Sequence, residues 1–179
     1  MINKLRYGAA GAAIAFALGM TSVANAADNA DADATAEVLS ALTLEVATGT
    51  ALDFGAMVVS GAGTVSLAAD GTLDCSSTDI VCSGTTSVPT FNISGGTVGK
   101  AVTVSLPSAS VDLVRQGTAG TLASDVIVLN GFVDNTTAGE VTLDAAGGGS
   151  FQVGGTINLD GTESAGIYDG TFNVSVAYS

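Results

Sequence analysis

The groups in this 179-residue chain with chemistry to offer are two cysteines and seventeen carboxylates, and there is no histidine and no tryptophan. Without histidine, Ser-His-Asp triads and histidine-ligated metals are excluded. Cys75 and Cys82 frame the segment CSSTDIVC. That spacing is neither the paired pattern of a zinc site nor the two-residue gap of a redox motif. Two cysteines in an exported chain predict a structural disulfide, worth about 2.5 kcal/mol for so short a loop in the chain-entropy account. The bridge also removes the free thiol that cysteine catalysis needs. A carboxylate pair could hydrolyse a glycosidic bond. Sugar sites commonly stack rings on aromatic side chains, however, and the few Phe and Tyr here fall mostly at core-facing strand positions. No set of nucleophile, base and oxyanion donor can be assembled, so the expectation is a protein without catalysis and without a cofactor. Asp28, Asp31 and Asp33 carry the hard oxygens that calcium takes. No turn glycine or closing glutamate stands in register with them, and the expectation is a solvated acidic tail. The N-x-S/T triplets at Asn92, Asn135 and Asn173 read as chance in a chain this rich in Ser and Thr.

The oxidising compartment follows from the first 26 residues. Lys4 and Arg6 give a positive start, Ala9 to Met20 is almost wholly apolar, and Ala24-Asn25-Ala26 supplies a small-x-small cleavage site. The apolar run is shorter than the roughly 20 residues a span needs. Residues 1–26 are therefore expected to be a cleaved signal peptide. The mature chain would cross the inner membrane, pass through the periplasm and reach the cell surface or beyond, with no membrane insertion. Cleavage leaves Lys100 and Arg115 against all seventeen acids, a formal charge of −15. Nucleic acid and anionic membrane surfaces need cationic patches, so neither is an expected partner. The charge reads as solubility and mutual repulsion in a crowded setting.

The elements that must position any site are strands. After residue 26 no apolar stripe keeps helical spacing for more than a turn, whereas period-two alternation recurs between Gly-rich breaks. Val102, Val104 and Leu106 alternate with Thr103 and Ser105, Phe151 and Val153 flank Gln152, and Phe172, Val174, Val176 and Tyr178 alternate with Asn173, Ser175 and Ala177. Further strands are expected at Glu37–Val46, Leu52–Val58, Thr64–Leu67, Thr90–Ser94, Ser110–Val114, Val126–Val133 and Thr156–Leu159. Asn130-Gly131 fits a hairpin turn or a bulge within a longer strand. Short strands with one apolar face predict an all-β fold of two antiparallel sheets packed face to face over residues 37–179. Residues 27–36, ADNADADATA, lack any large apolar group and are expected to be a flexible extension.

The last fourteen residues, GIYDGTFNVSVAYS, place Gly166 fourteenth from the end and Tyr178 next to last, with apolar alternation between. This resembles the C-terminal β-zipper motif of chaperone–usher pilins. Glu37-Val38-Leu39-Ser40-Ala41 followed by Leu52-Asp53-Phe54-Gly55 resembles the first strand of such pilins and the aromatic–glycine pair after it. LDFG near the start and GIYDGTFNVSVAY at the end are also similar to an uncharacterised family of small exported Gram-negative proteins related to these fimbrial subunits. The resemblance implies an immunoglobulin-like sandwich that is incomplete and is completed by donor-strand complementation. Gly166, Phe172, Val174, Val176 and Tyr178 would border the groove for chaperone or donor, and Ala30, Ala32, Ala34 and Ala36 would be the inward side chains of the donor strand. A periplasmic chaperone and an outer-membrane usher are the implied partners, followed by other copies of the chain or related subunits. About eight to ten ladder hydrogen bonds at roughly 0.5–1.5 kcal/mol each would carry most of the attraction.

Two departures stand out. Pilin donor strands carry bulky apolar residues, whereas this one offers alanines with Asp31 and Asp33 between them, and both cysteines sit in one local excursion rather than tying the first strand to the next. The expectation is thus a structural subunit of a surface fibre. An acidic surface-layer or matrix protein, or a self-contained secreted binding module, are the alternatives.

Overall fold

The computed structural model describes residues 30–179, so the expected signal peptide and Asp28 lie outside the described residues. Residues 30–36 carry no regular structure and are exposed throughout. Glu37–Ser179 forms one compact unit. Its strands are β1 (Thr43–Val46), β2 (Ala56–Val59), β3 (Gly63–Leu67), β4 (Leu73–Asp74), β5 (Ile80–Ser83), β6 (Thr90–Ser94), β7 (Ala101–Ser105), β8 (Val111–Arg115), β9 (Val126–Asp134), β10 (Glu140–Thr142), β11 (Gly149–Leu159), β12 (Tyr168–Asp169) and β13 (Ser175–Tyr178). A single 3-10 turn, Ala123–Asp125, precedes β9. No helix among the described residues is long and apolar enough to cross a membrane.

The fold is an antiparallel β-sandwich. One face is a large sheet in the order β1-β6-β11-β9-β8-β12, with β3 on the far part of β11 and β4 outside β3. Two smaller sheets cover it side by side: β10-β7-β13, and the β2-β5 ribbon. Each cover makes its own apolar cluster against the large sheet. Under the ribbon lie Phe54, Ile80, Ile127, Leu129, Ile157 and Leu159, and under β7 and β13 lie Phe91, Ile93, Val102, Phe151, Val153 and Val174. Phe132 and Phe172 flank both clusters. The Phe172 ring stands 4.9 Å from Phe132 and 6.4 Å from Phe91, which stacks on Phe151 at 5.2 Å. These ring separations suit aromatic packing and add to the area each ring buries.

Several expected strands differ in their limits. Only Thr43–Val46 of the expected Glu37–Val46 strand pairs, because 37–42 is held by side chains rather than by a ladder. Leu52–Val58 is reduced to a bridge between Asp53 and Ser87 and then β2. Gly55 interrupts it, at φ +75° and so close to the partner that a Cβ would fall 2.6 Å from the Ser83 carbonyl oxygen. Phe151–Val153 and Thr156–Leu159 are one continuous strand, β11. Its Gly154 lets β3 approach so near that a Cβ there would sit 2.2 Å from the Leu67 oxygen. Asn130-Gly131 is a bulge and not a hairpin: Gly154 faces Val133 while Thr156 faces Asn130, which leaves one extra residue on β9. That extra residue turns Phe132 inward after Leu129 and puts Val133 outside. The expected continuous alternation over Phe172–Tyr178 is split, with only Ser175–Tyr178 in a ladder, on β7.

Cys75 and Cys82 are bonded, joining the strand end after β4 to β5 beneath the ribbon. Replacing both with alanine should lower unfolding free energy by about 2–3 kcal/mol, read as a lowered urea midpoint. Three turn carboxylates have a lowered pKa. Asp70 accepts from the Thr72 N–H and hydroxyl, Asp144 from the N–H groups of Gly148 and Ala146, and Asp160 from the Thr162 hydroxyl and N–H. A carboxyl lowered in the folded state lends stability above its unfolded value and loses it as pH falls through the folded one. The melting temperature should hold as pH is lowered from neutrality and drop only below about pH 3.8, the ordinary aspartate value. A drop centred above pH 5 would contradict this.

Candidate functional site

Between the ribbon and the C-terminal segment the large sheet is left uncovered. An open groove of about 910 Å³ lies there. Its floor is Leu113, Ile127, Leu129, Ile157 and Leu159, from β8, β9 and β11. One wall is residues 50–59 and the other is residues 163–172. The two loops meet at one end, where a Cβ on Gly161 would be 2.9 Å from Gly61. Phe172 and Phe91 close the floor toward the second cluster.

Both walls end in half-paired backbone. β2 pairs only with β5, and β12 is an edge that pairs only with β8. Residues 170–174 enter no strand ladder and make no backbone hydrogen bond to another element. Two large apolar side chains on these walls are open to solvent: Ile167 is 66% exposed, and Val58, on the outer face of β2 because Met57 and Val59 turn inward, is 69% exposed. Unpaired strand edges flanking exposed aliphatic side chains are the features an added strand consumes.

The 163–172 wall is held from behind. Arg115, at the end of β8, bonds the Asp125 carboxylate through Nε at 2.8 Å and Nη2 at 2.7 Å. Asp125 is almost fully buried, at 5% exposure. Gly166 lies on the aliphatic stem of Arg115, where a Cβ would be 2.7 Å from Cδ. The Tyr168 hydroxyl sits 2.7 Å from the carbonyl oxygens of both Ser124 and Ser164. Burial raises the Tyr168 pKa, against the opposing charge of Arg115. The phenol thus stays a neutral donor across the physiological range.

The five C-terminal residues expected to border one groove divide between two places. Gly166 and Phe172 line it. Val174, Val176 and Tyr178 instead face the closed cluster under β7 and β13. The Tyr178 hydroxyl accepts from the Thr97 N–H at 2.8 Å and donates to the Ser40 carbonyl at 2.7 Å. Ser40 N–H in turn donates to Thr97 Oγ1 at 2.8 Å, and Glu37 pairs with Lys100 at 2.7 Å. The penultimate tyrosine is therefore a clamp on the incoming chain. Ala30, Ala32, Ala34 and Ala36 are exposed and in no ladder. Among the described residues no group of three or more acids, Asp31 and Asp33 included, is arranged to hold a metal ion. Of this wall the sequence pointed to Gly166 and Phe172, while residues 163–165 and the Arg115–Asp125 pair behind it escaped it. Ile167, a lone aliphatic residue in a polar stretch, was the available signal.

Tyr178→Phe should remove the clamp while leaving the ring packed. Amide hydrogen exchange should quicken at Ser40 and Thr97 and stay unchanged in β9 and β11. Equal protection at Ser40 in both proteins would refute the clamp.

No curated protein matches the chain. Residues 44–178, from β1 to the penultimate tyrosine, match the family described as Domain of unknown function (DUF4402). That match takes in the ribbon, the groove floor, both walls and, of the clamp, Thr97 and Tyr178, while Ser40 and Glu37 precede it. The chain accordingly belongs to the DUF4402 family.

Proposed function

We propose that this chain is a non-catalytic structural subunit of a surface fibre, whose sandwich is completed by an extended strand from another molecule. The observation that carries the reading is the groove: an apolar floor between two half-paired walls, with Val58 and Ile167 standing open on them. A strand laid between the walls would pair backbone groups on either side and cover the floor with its alternate side chains. The rest of the reading is drawn from likeness to chaperone–usher pilins. By that likeness a periplasmic chaperone fills the groove first, an outer-membrane usher directs exchange, and the subunit ends at the cell surface of a Gram-negative bacterium. The contact would be head-to-tail and non-closing. The segment offered for donation is residues 27–36, of which 30–36 are exposed and in no ladder, whereas the chain from Glu37 onward is fastened by Lys100, Thr97 and Tyr178.

The test uses Val58→Asp with Ile167→Asp. Both side chains are mostly exposed, so the variant should fold with a near-native melting temperature. Expressed in a cell that assembles the wild-type chain, it should fail to enter subunit ladders that resist mild detergent. Ladders of wild-type length would sink the proposal. Deleting residues 27–36 separately reads donation: the truncated chain should still accept a strand but add no subunit beyond itself.

A further inference from the structure

The groove rim carries charge of one sign. Asp53 stands on the 50–59 wall, and Glu163 and Asp169 on the 163–172 wall, with no lysine or arginine in the lining. Asp53 and Asp169 are exposed. Glu163 already accepts the N–H groups of Asp160 and Gly161. The two cations among the described residues are both engaged elsewhere, Arg115 with Asp125 and Lys100 with Glu37. The chain's own free segment is acidic as well, with Asp31 and Asp33 alternating with Ala30, Ala32, Ala34 and Ala36.

Resting on the groove reading above, we propose that the natural occupant is a strand from a different protein, with branched aliphatic residues at alternate positions and lysine or arginine between them. Two independent mismatches rule against residues 27–36 of a second copy. An inserted strand that points its alanines at the floor turns Asp31 and Asp33 toward the rim, where like charges meet across adjacent strands. Alanine also brings a single methyl to the floor, while valine, leucine or isoleucine covers several times the apolar surface. A cationic aliphatic strand reverses both terms. It meets Asp53, Glu163 and Asp169 with opposite charge and covers the floor with its aliphatic side chains. The rim charges would also speed encounter with such a strand and slow encounter with another copy's acidic segment. The groove is thus heterotypic: one copy of this chain does not fill the groove of another, and a fibre containing it places a different subunit at that contact.

Fluorescence anisotropy on the full mature chain tests this with three labelled ten-residue peptides: alternating Val/Lys, alternating Val/Glu, and ADNADADATA. At low salt the Val/Lys peptide should bind about tenfold more tightly than the Val/Glu peptide, as expected for three cross-strand charge pairs. It should also bind more tightly than ADNADADATA. The gap should shrink with added salt. The Asp53→Asn, Glu163→Gln, Asp169→Asn triple variant should narrow it, and so, less strongly, should Asp169→Asn alone, whose carboxylate caps no turn. ADNADADATA or Val/Glu binding as tightly as Val/Lys overturns the inference and leaves the groove reading in place, as does a gap that survives the triple variant. Absence of binding by any peptide, or binding untouched by Val58→Asp with Ile167→Asp, overturns the groove reading and the inference together.

Discussion

One large sheet is covered by two smaller ones, and the covers do not meet along their whole length. This constraint governs the rest of the structure. Where β7 and β13 lie over the sheet, Val102 and Val153 are wholly buried and the interior is closed. Where the β2-β5 ribbon lies over it, the interior is buried on the ribbon's side and open toward 163–172. Hydrophobic burial scales with area removed from water, so the open half contributes less to stability than its composition would allow. The disulfide under the ribbon and the Arg115–Asp125 pair behind the far wall both lie around this weaker half. A bridge compensates by restricting the unfolded chain, and a buried pair by fixing one geometry for the wall. Phe172 and Phe132, packed against both halves, keep the open one aligned with the closed one.

The all-β sandwich was legible because period-two alternation survives in β6 and β7 and along much of β11, which has more buried residues than any other strand. Strand limits were less so, for reasons that are local and physical. Gly154 and Gly155 look like a break, yet they sit inside β11: β3 approaches Gly154 too closely for a side chain, and Gly155 lies against the Leu129 and Leu52 side chains. Gly131 looks like a turn, yet it makes a bulge that shifts the inward face from Leu129 to Phe132. The two-residue strands β4 and β12 carry too little pattern to be seen, and their positions are set by neighbours far along the chain.

The candidate site was legible in part. LDFG and the last fourteen residues flagged both walls, but alternation from Phe172 to Tyr178 suggested one continuous border. In the fold that segment leaves the groove at Phe172 and joins β7 only at Ser175. Period two reports which residues face inward; it does not report which of two neighbouring interiors they face. The acidity of the rim was equally hidden, because Asp53, Glu163 and Asp169 come together only when the two walls do.

The tyrosine clamp has a mechanical consequence. Tension applied through the segment before Glu37 is taken up first at the Glu37–Lys100 pair and the Ser40–Thr97–Tyr178 hydrogen bonds. From there the load passes into the ladder between β13 and β7, under the closed half of the sandwich. The groove walls, residues 50–59 and 163–172, make none of these contacts, so the first load is borne away from the groove.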